Sequence, residues 1–380
     1  MKKILFISHE ASLTGAPMVL LYLMAWIKDN RPEFQTGILL LNGGEIEQRF
    51  FSLANHHHIF QYKKIKNFKK FIHKIKKHIF RQNILSQNEL FYKHIANQGY
   101  DIIYANTVLS VEKGVQIKNL SIHPPKLIAH IHELEVILNS VKIPTECIPQ
   151  LDEIIAVSHL VKNNIIKNWP NVAHKINVIY EFSKIKADST THLKDNNTFV
   201  VGASGYVHWR KGYDIFIQVA RFIKKNHPAM PIKFQWVGKV QGLELNIIQQ
   251  DLEKLQLLDF VEFLGQKEEP IPYLNNFDVF LMCSREDPFP LVCIEVGQMG
   301  KPIICFEKAT GTAEVLSNGG GKIIPYLDIE SMAETIVFYY SNQEALDFDS
   351  QKAKEIFNNF TPEIICPQIY QLIENVIKHK

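Results

Sequence analysis

Two doubly wound α/β domains in tandem, facing each other across a cleft, are what this sequence predicts, and three observations predict them. Strand-like apolar runs alternate with amphipathic helical stretches from one end of the chain to the other. Such alternation builds parallel sheets covered by helices. The pattern breaks at the polar segment KIKADSTTHLKDNNT (184–198), which has the look of a linker, and then restarts. Finally, 380 residues is long for one core and ordinary for two.

The elements follow in order. KILFIS is a first buried strand, because its apolar stretch is only about six residues long and runs into polar His9 and Glu10, unlike a signal peptide. A helix from about Ala16 to Ile27 comes next, then strands TGILLL, DIIYA, KLIAHIH, EIIAVS and INVIY, which complete a first domain over 1–183. After the linker, FVVGASG, IKFQWVG, VEFLG, DVFLMC, PIICF and KIIPY form the strands of a second domain over 199–360. In open α/β sheets ligands bind outside the carboxyl ends of the strands, so the loops after KILFIS, FVVGASG and DVFLMC carry the most weight.

Composition narrows the class. Cys147, Cys283, Cys293, Cys305 and Cys366 show no CxxC or repeated spacing, which suits a reducing compartment and predicts neither disulfides nor a zinc site. No apolar run approaches the ~20 residues of a membrane-spanning helix. The expected location is the cytoplasm. The net charge of +3 hides an asymmetry, since residues 48–88 carry ten Lys or Arg and no acid while the rest of the chain is net acidic.

The stretch SREDPFPLVCIE (284–295) places Glu286 and Asp287 before a Pro-Phe-Pro elbow and Glu295 inside the apolar run that follows. DVFLMC reads as a strand buried on both faces, and LVCIEVGQMG as a helix ending at Gly300. Pro290 is expected at the first helical position, leaving the amides of Leu291 and Val292 free to bind an anion such as a diphosphate. Asp287 would lie beside whatever hangs from the phosphate. Glu295, about one turn inside, can accept hydrogen bonds from sugar hydroxyls. The competing reading is that Glu286 and Asp287 cap the helix. It is weakened by Glu295, because a carboxylate in an apolar run needs partners.

At these residues the chain resembles the retaining, nucleotide-sugar-dependent glycosyltransferases of family 4 (group 1), whose fold, GT-B, is two facing Rossmann-like domains. Their motif is an acid, seven residues, then Glu, and Asp287 and Glu295 match it with Phe289-Pro290-Leu291-Val292 between. The resemblance implies that the first acid contacts the transferred sugar and the second holds the ribose. The family normally has Glu in the first place; here Asp287 stands there, with Glu286 one residue early, so both acids are candidates for the sugar contact.

Further motifs extend the resemblance over roughly residues 2–345. GASGYVHWRKGYDIFIQVA (202–220) offers Lys211-Gly212, whose lysine in the family grips the donor diphosphate, a task suited to a flexible point charge. The family's arginine five or six residues earlier is replaced by Gly205 and Tyr206, and Arg210 is the nearest substitute; a solvated turn is the competing reading. HEASLTGAPMVLL resembles the glycine-rich loop after the first strand, which implies that Gly15 lets the backbone approach the phosphate. Thr14 also reads as a helix cap there. KLIAHIHELE resembles the strand-end His near the donor sugar, which implicates His132, next to Glu133, with His130 the weaker alternative and a structural histidine the other reading. TGTAEVL, with Glu314, matches weakly. INVIYEF lacks the family's usual Pro-Asn-Gly at the hinge. The resemblance implies that 361–380 is a closing helix that returns to the first domain.

Within KKIKNFKKFIHKIKKHIF, Ile65, Phe68, Ile72, Ile75 and Ile79 form one apolar stripe flanked by lysines. An interfacial helix that holds the inner face of the plasma membrane through Lys69, Lys70, Lys76 and Lys77 is one reading, and a helix packing its stripe on its own domain is the other. Nucleic acid is not expected as a partner.

The leading expectation is a metal-independent transferase, with no cofactor, that moves a sugar from a nucleoside-diphosphate donor to a hydroxyl acceptor, lipid-linked or polysaccharide. Its proposed catalytic residues are His132, Lys211 and Asp287. Its donor-binding residues are Gly15, Arg210, Lys211, Glu286, Asp287, Phe289, Leu291, Val292 and Glu295. No metal ligands are expected, since no Asp-x-Asp pair stands at a strand end. The alternative is a catalytically silent module of the same fold that binds nucleotide-sugar or membrane. An NAD-dependent oxidoreductase is disfavoured because GxGxxG followed by a ribose-binding acid is lacking.

Overall fold

The computed structural model describes residues 2–60, 86–141, 146–185 and 198–378. They fall into two compact units, one drawn from Met1–Ala156, Asn164–Ile179 and Cys366–Lys380, the other from Val157–Asn163 and Tyr180–Ile365.

The first unit is built on strands β1 (Lys2–Ser8), β2 (Phe34–Leu40), β3 (His56–Ile59), β4 (Ile102–Asn106), β5 (Lys126–Ile131), β6 (Glu153–Ala156) and β7 (Ile176–Val178). Helices α1 (Gly15–Asn30), α2 (Glu47–Leu53), α3 (Gln87–Ala96), α4 (Val108–Leu120), α5 (Glu135–Ser140) and α6 (His159–Asn168), the last belonging to the second unit up to Asn163, alternate with them. All pairings are parallel, in the order β3-β2-β1-β4-β5-β6-β7. Continuous apolar sequence follows from that position: Ile4, Leu5, Phe6 and Ile7 in the middle of the sheet are fully buried. The chain leaves β1 towards β2 and returns on the other side to β4, so the strand order reverses beside the ends of β1 and β4.

The second unit repeats the plan with β8 (Phe199–Ser204), β9 (Ile232–Val237), β10 (Val261–Gly265), β11 (Val279–Met282), β12 (Ile303–Phe306) and β13 (Gly321–Ile324). The helices are α7 (Tyr213–Asn226), α8 (Leu243–Lys254), α9 (Ile271–Asn275), α10 (Leu291–Gln298), α11 (Thr312–Val315), α12 (Ile329–Ser341) and α13 (Gln343–Phe357), followed by α14 (Pro362–Lys378), which from Cys366 onward belongs to the first unit. The strand order of the second unit is β10-β9-β8-β11-β12-β13, again parallel. Here the reversal lies between β8 and β11. Phe216 of α7 packs edge-on against Phe234 and Trp236 of β9, which seats that helix on the sheet.

Each strand expected from the sequence is present. Strand β3, HHHI, is an addition: it pairs only with β2 at the sheet edge, and its histidines hide the apolar signal that marks a buried strand. The basic segment with Lys69, Lys70, Lys76 and Lys77, and most of the linker, lie outside the described residues. Among the described residues no helix is long and apolar enough to cross a membrane.

Candidate active site

In the second unit the loops that leave β8 and β11 meet at the reversal of strand order, where doubly wound sheets bind ligands. The β8 loop ends in a short turn, Trp209–Lys211, closed by Gly212 at φ 74°, a left-handed conformation natural to glycine. A Cβ on Gly212 would lie 2.0 Å from the Cys283 carbonyl oxygen, so the turn packs directly on the end of β11. Lys211 Nζ donates to Asp287 Oδ2, and Ser284 Oγ donates to the same oxygen at 3.3 Å. Arg210 Nη1 donates to the Glu286 carbonyl and stands 3.8 Å from that carboxylate oxygen. Asp287 is buried, its main-chain N–H bound to the Ala309 carbonyl at 2.8 Å. Two cations therefore converge on one buried acid.

Helix α10 starts one residue later than expected. Pro290 is its N-cap, at φ −69° and ψ 132°, rather than its first helical residue, and it makes no side-chain cap hydrogen bond. The N-cap position is thus held by Pro290 and not by Glu286 or Asp287. The first hydrogen bond of the turn is Cys293 N–H to the Pro290 carbonyl at 3.0 Å. Burial pushes the Cys293 thiol pKa up, a Thr312 hydrogen bond lowers it, and the Asp287 charge raises it again, which puts Asp287 within electrostatic reach of this first turn. The Phe289 ring is buried between Tyr180, at 4.9 Å, and Phe360, at 5.2 Å, so it anchors the elbow from inside the core. Glu295 accepts from Ser183 Oγ at 2.8 Å. Desolvation raises its pKa to about 7, with the Ser183 hydrogen bond opposing.

Three features of this unit escaped the sequence reading. Arg285 pairs with Asp214 through Nη1 at 2.9 Å and Nη2 at 2.8 Å. Ser183 is the partner of Glu295. Glu314 accepts from the main-chain N–H groups of His159 and Leu160 at 2.9 and 2.7 Å and from the Tyr180 hydroxyl at 3.0 Å, all within the second unit, so it caps the first turn of α6. An Arg–Asp pair was there to be suspected, because Arg285 sits inside SREDPFPLVCIE itself.

In the first unit, residues from the ends of β1, β4 and β5 gather at the other reversal. Asn106 Nδ2 donates to the Ala16 carbonyl at 2.9 Å, which leaves its Oδ1 facing His132 Nε2 at 2.9 Å. That arrangement assigns the proton to His132 Nε2. His130 is buried, with Nδ1 2.8 Å from the Tyr104 hydroxyl, and its ring lies 4.1 Å from that of His132. Burial lowers the His9 pKa, Glu10 raises it, and His132 lowers it again. Glu133 accepts from the amides of His132 and Val108, capping α4. Before that helix Thr107 holds φ 78° and ψ 155°, a glycine-like conformation that costs on the order of 1–3 kcal/mol. Gly15 is the exposed first residue of α1, and Thr14 occupies the N-cap without a side-chain cap; its hydroxyl turns to Glu10 at 3.3 Å instead. Among the described residues no group of three or more His, Cys, Asp or Glu side chains forms a metal site.

Comparison with known proteins supplies a family and a fold. Residues 198–342 match the family model of Glycosyl transferases group 1. An exopolysaccharide phosphotransferase of Streptomyces coelicolor is 27% identical over 172 residues, 45% of this chain and 18% of that protein. The capsular polysaccharide biosynthesis glycosyltransferase CapM of Staphylococcus aureus is 25% identical over 242 residues, 60% of this chain and 62% of that protein. The chain thus spans less than two thirds of the length of either relative. The crystal structure of Anabaena HepE in complex with UDP and glucose superposes with a TM-score of 0.77 over 98% of this chain and 100% of that one, at 20% identity, which establishes the fold.

Proposed function

This chain carries a group 1 glycosyltransferase domain in a GT-B fold, and we propose that it moves a sugar from a nucleoside diphosphate to a hydroxyl acceptor, with retention at the anomeric carbon. The supporting observation is the convergence of Lys211 and Arg210 on Asp287 beside the start of α10, where the N-cap is a proline. The barrier in such a transfer is departure of a diphosphate from an oxocarbenium-like centre. Catalysis then rests on stabilising the leaving group and aligning the acceptor. Lys211, Arg210 and the amides of Leu291 and Val292 would carry the leaving-group charge. A donor would draw Lys211 off Asp287 and free that carboxylate for the transferred sugar. Glu295 would accept from the ribose hydroxyls. Gly15 and His132 keep the roles that the family resemblance implies, at the phosphate and the sugar.

The charge supplied by Lys211 and Arg210 supports a reaction without an obligatory metal. HepE was crystallised with UDP, which makes a uridine donor the first to test. CapM acts in capsular polysaccharide biosynthesis, which favours a bacterial cell-surface polysaccharide or glycolipid as the product. A lipid-linked acceptor and attachment through Lys69, Lys70, Lys76 and Lys77 rest on sequence alone, and flotation with anionic liposomes tests them.

The reading is tested by incubating the pure protein, with and without chelator, with a panel of nucleotide-sugars and following slow donor hydrolysis. Turnover that survives chelation and is abolished by Glu295→Ala is expected. No hydrolysis of any donor would overturn the enzymatic reading and leave a nucleotide-sugar-binding module. The anomeric configuration of the product, read by NMR, decides retention.

A further inference from the structure

Arg285 belongs to the loop that carries the acids, and the hydrogen bonds of its side chain go to Trp209 and Asp214, neither of which is assigned to the donor. Its Nη1 and Nη2 meet the Asp214 carboxylate at 2.9 and 2.8 Å, and Nη1 also donates to the Trp209 carbonyl at 2.8 Å. The guanidinium lies 4.6 Å from the centre of the Trp209 ring. Its main-chain N–H donates to the Arg210 carbonyl at 2.8 Å. One residue of the β11 loop thus grips Trp209, Arg210 and Asp214, on both sides of Lys211. The Arg285 side chain is 14% exposed and that of Asp214 46%, so the pair is partly shielded from water. Burial alone would raise the Asp214 pKa, but the hydrogen bonds and charge of Arg285 outweigh it and hold the carboxyl below its ordinary range.

We propose that Arg285 is a positioning residue of the donor site, which clamps the 209–214 turn onto the end of β11 and so fixes where Lys211 and Arg210 present their charge. The inference rests on the reading of Lys211 as the diphosphate grip. Neighbouring strands explain why a clamp is needed: β8 and β11 pair directly, at Val201 with Val279 and Gly202 with Phe280, yet their loops are far apart in sequence. A lysine on a flexible stem is a poor electrostatic catalyst unless its backbone is held. The planar fork of arginine suits the task, because it binds a carboxylate through two N–H groups while stacking on an indole, and lysine can do neither in that geometry.

The test is a binding series on the whole chain, using UDP, GDP, ADP and dTDP and the parent nucleoside of whichever diphosphate binds. Arg285→Lys should weaken the diphosphate on the order of tenfold or more, as a displaced catalytic group does. It should leave the nucleoside, which has no phosphate, bound as in the wild type. Asp214→Asn, which breaks the clamp from the other side, should do the same. The double variant Arg285→Lys with Lys211→Ala should bind no more weakly than Lys211→Ala alone, because Arg285 acts through the cation it positions. Equal loss of nucleoside and diphosphate, additive losses in the double variant, or wild-type affinity in both clamp variants would overturn the proposal. Lys211→Ala at wild-type affinity, or binding of none of the diphosphates, would instead refute the donor-site reading and the clamp with it.

Discussion

Replacing Glu295 with Gln should make the protein more stable and a worse binder at the same time. The carboxyl is desolvated in α10, and its pKa of about 7 stands above an ordinary value of 4.5. The folded state therefore holds a proton that the unfolded state has released, between about pH 4.5 and pH 7. Stability contributed by this group is present below that window and is lost as pH rises through it. At about 1.4 kcal/mol per pH unit, the full loss is roughly 3 kcal/mol by pH 8. Gln keeps the oxygen that accepts from Ser183 and cannot ionise, so the variant should gain up to that amount at pH 8 and nothing near pH 4.5. Thermal unfolding of both proteins at a series of pH values reads the difference, and a shift of roughly 2–4 °C per kcal/mol is expected for a unit of this size. Donor binding should move the other way. A charged acceptor lost from the ribose costs about 1.5–3 kcal/mol, or roughly 10- to 150-fold in affinity. In the wild type, affinity for a nucleotide-sugar should also rise as pH passes 7, because the ligand favours the ionised carboxyl, and the Gln variant should lack that slope. A stability difference independent of pH would refute the account of burial, and unchanged affinity would refute the ribose contact.

Three further outcomes are expected. Lys211→Met should cut kcat/KM for the donor on the order of a hundredfold, as loss of one preorganised charge does, and should also lower the melting temperature by leaving Asp287 short of a partner; a fall in stability alone would make Lys211 only the counterion of Asp287. Gly212→Ala should destabilise the second unit by at least ~1–3 kcal/mol in urea unfolding, since φ 74° disfavours a side chain and its Cβ would meet the Cys283 carbonyl at 2.0 Å; normal stability would show that the turn does not rest on β11. Asn106→Leu should cost ~1–3 kcal/mol by stranding the Ala16 carbonyl and should shift the tautomer of His132, observable by nitrogen NMR of the imidazole; an unchanged imidazole would remove Asn106 as its orienter.

What could be read from the sequence follows one physical rule, that a signal is legible when a residue's own chemistry states its environment. Strands such as KILFIS and DVFLMC announce themselves because a strand buried on both faces must be apolar throughout. Strand β3 does not, because an edge strand of histidines answers to one neighbour only. Glu295 drew notice as an acid in an apolar run, and it is desolvated there. Pro290 was one place off because proline fits both the position before a helix and the first inside it, and only the backbone angle ψ of 132° separates them. Arg285 was passed over for a different reason. Its partners Trp209 and Asp214 lie more than seventy residues away and come within reach only because the strand order reverses between β8 and β11. That reversal is a property of the sheet as a whole. It joins the one stretch that carries the acids to the one turn that carries the cations, and a pairing of that kind appears in a sequence only after the topology is known.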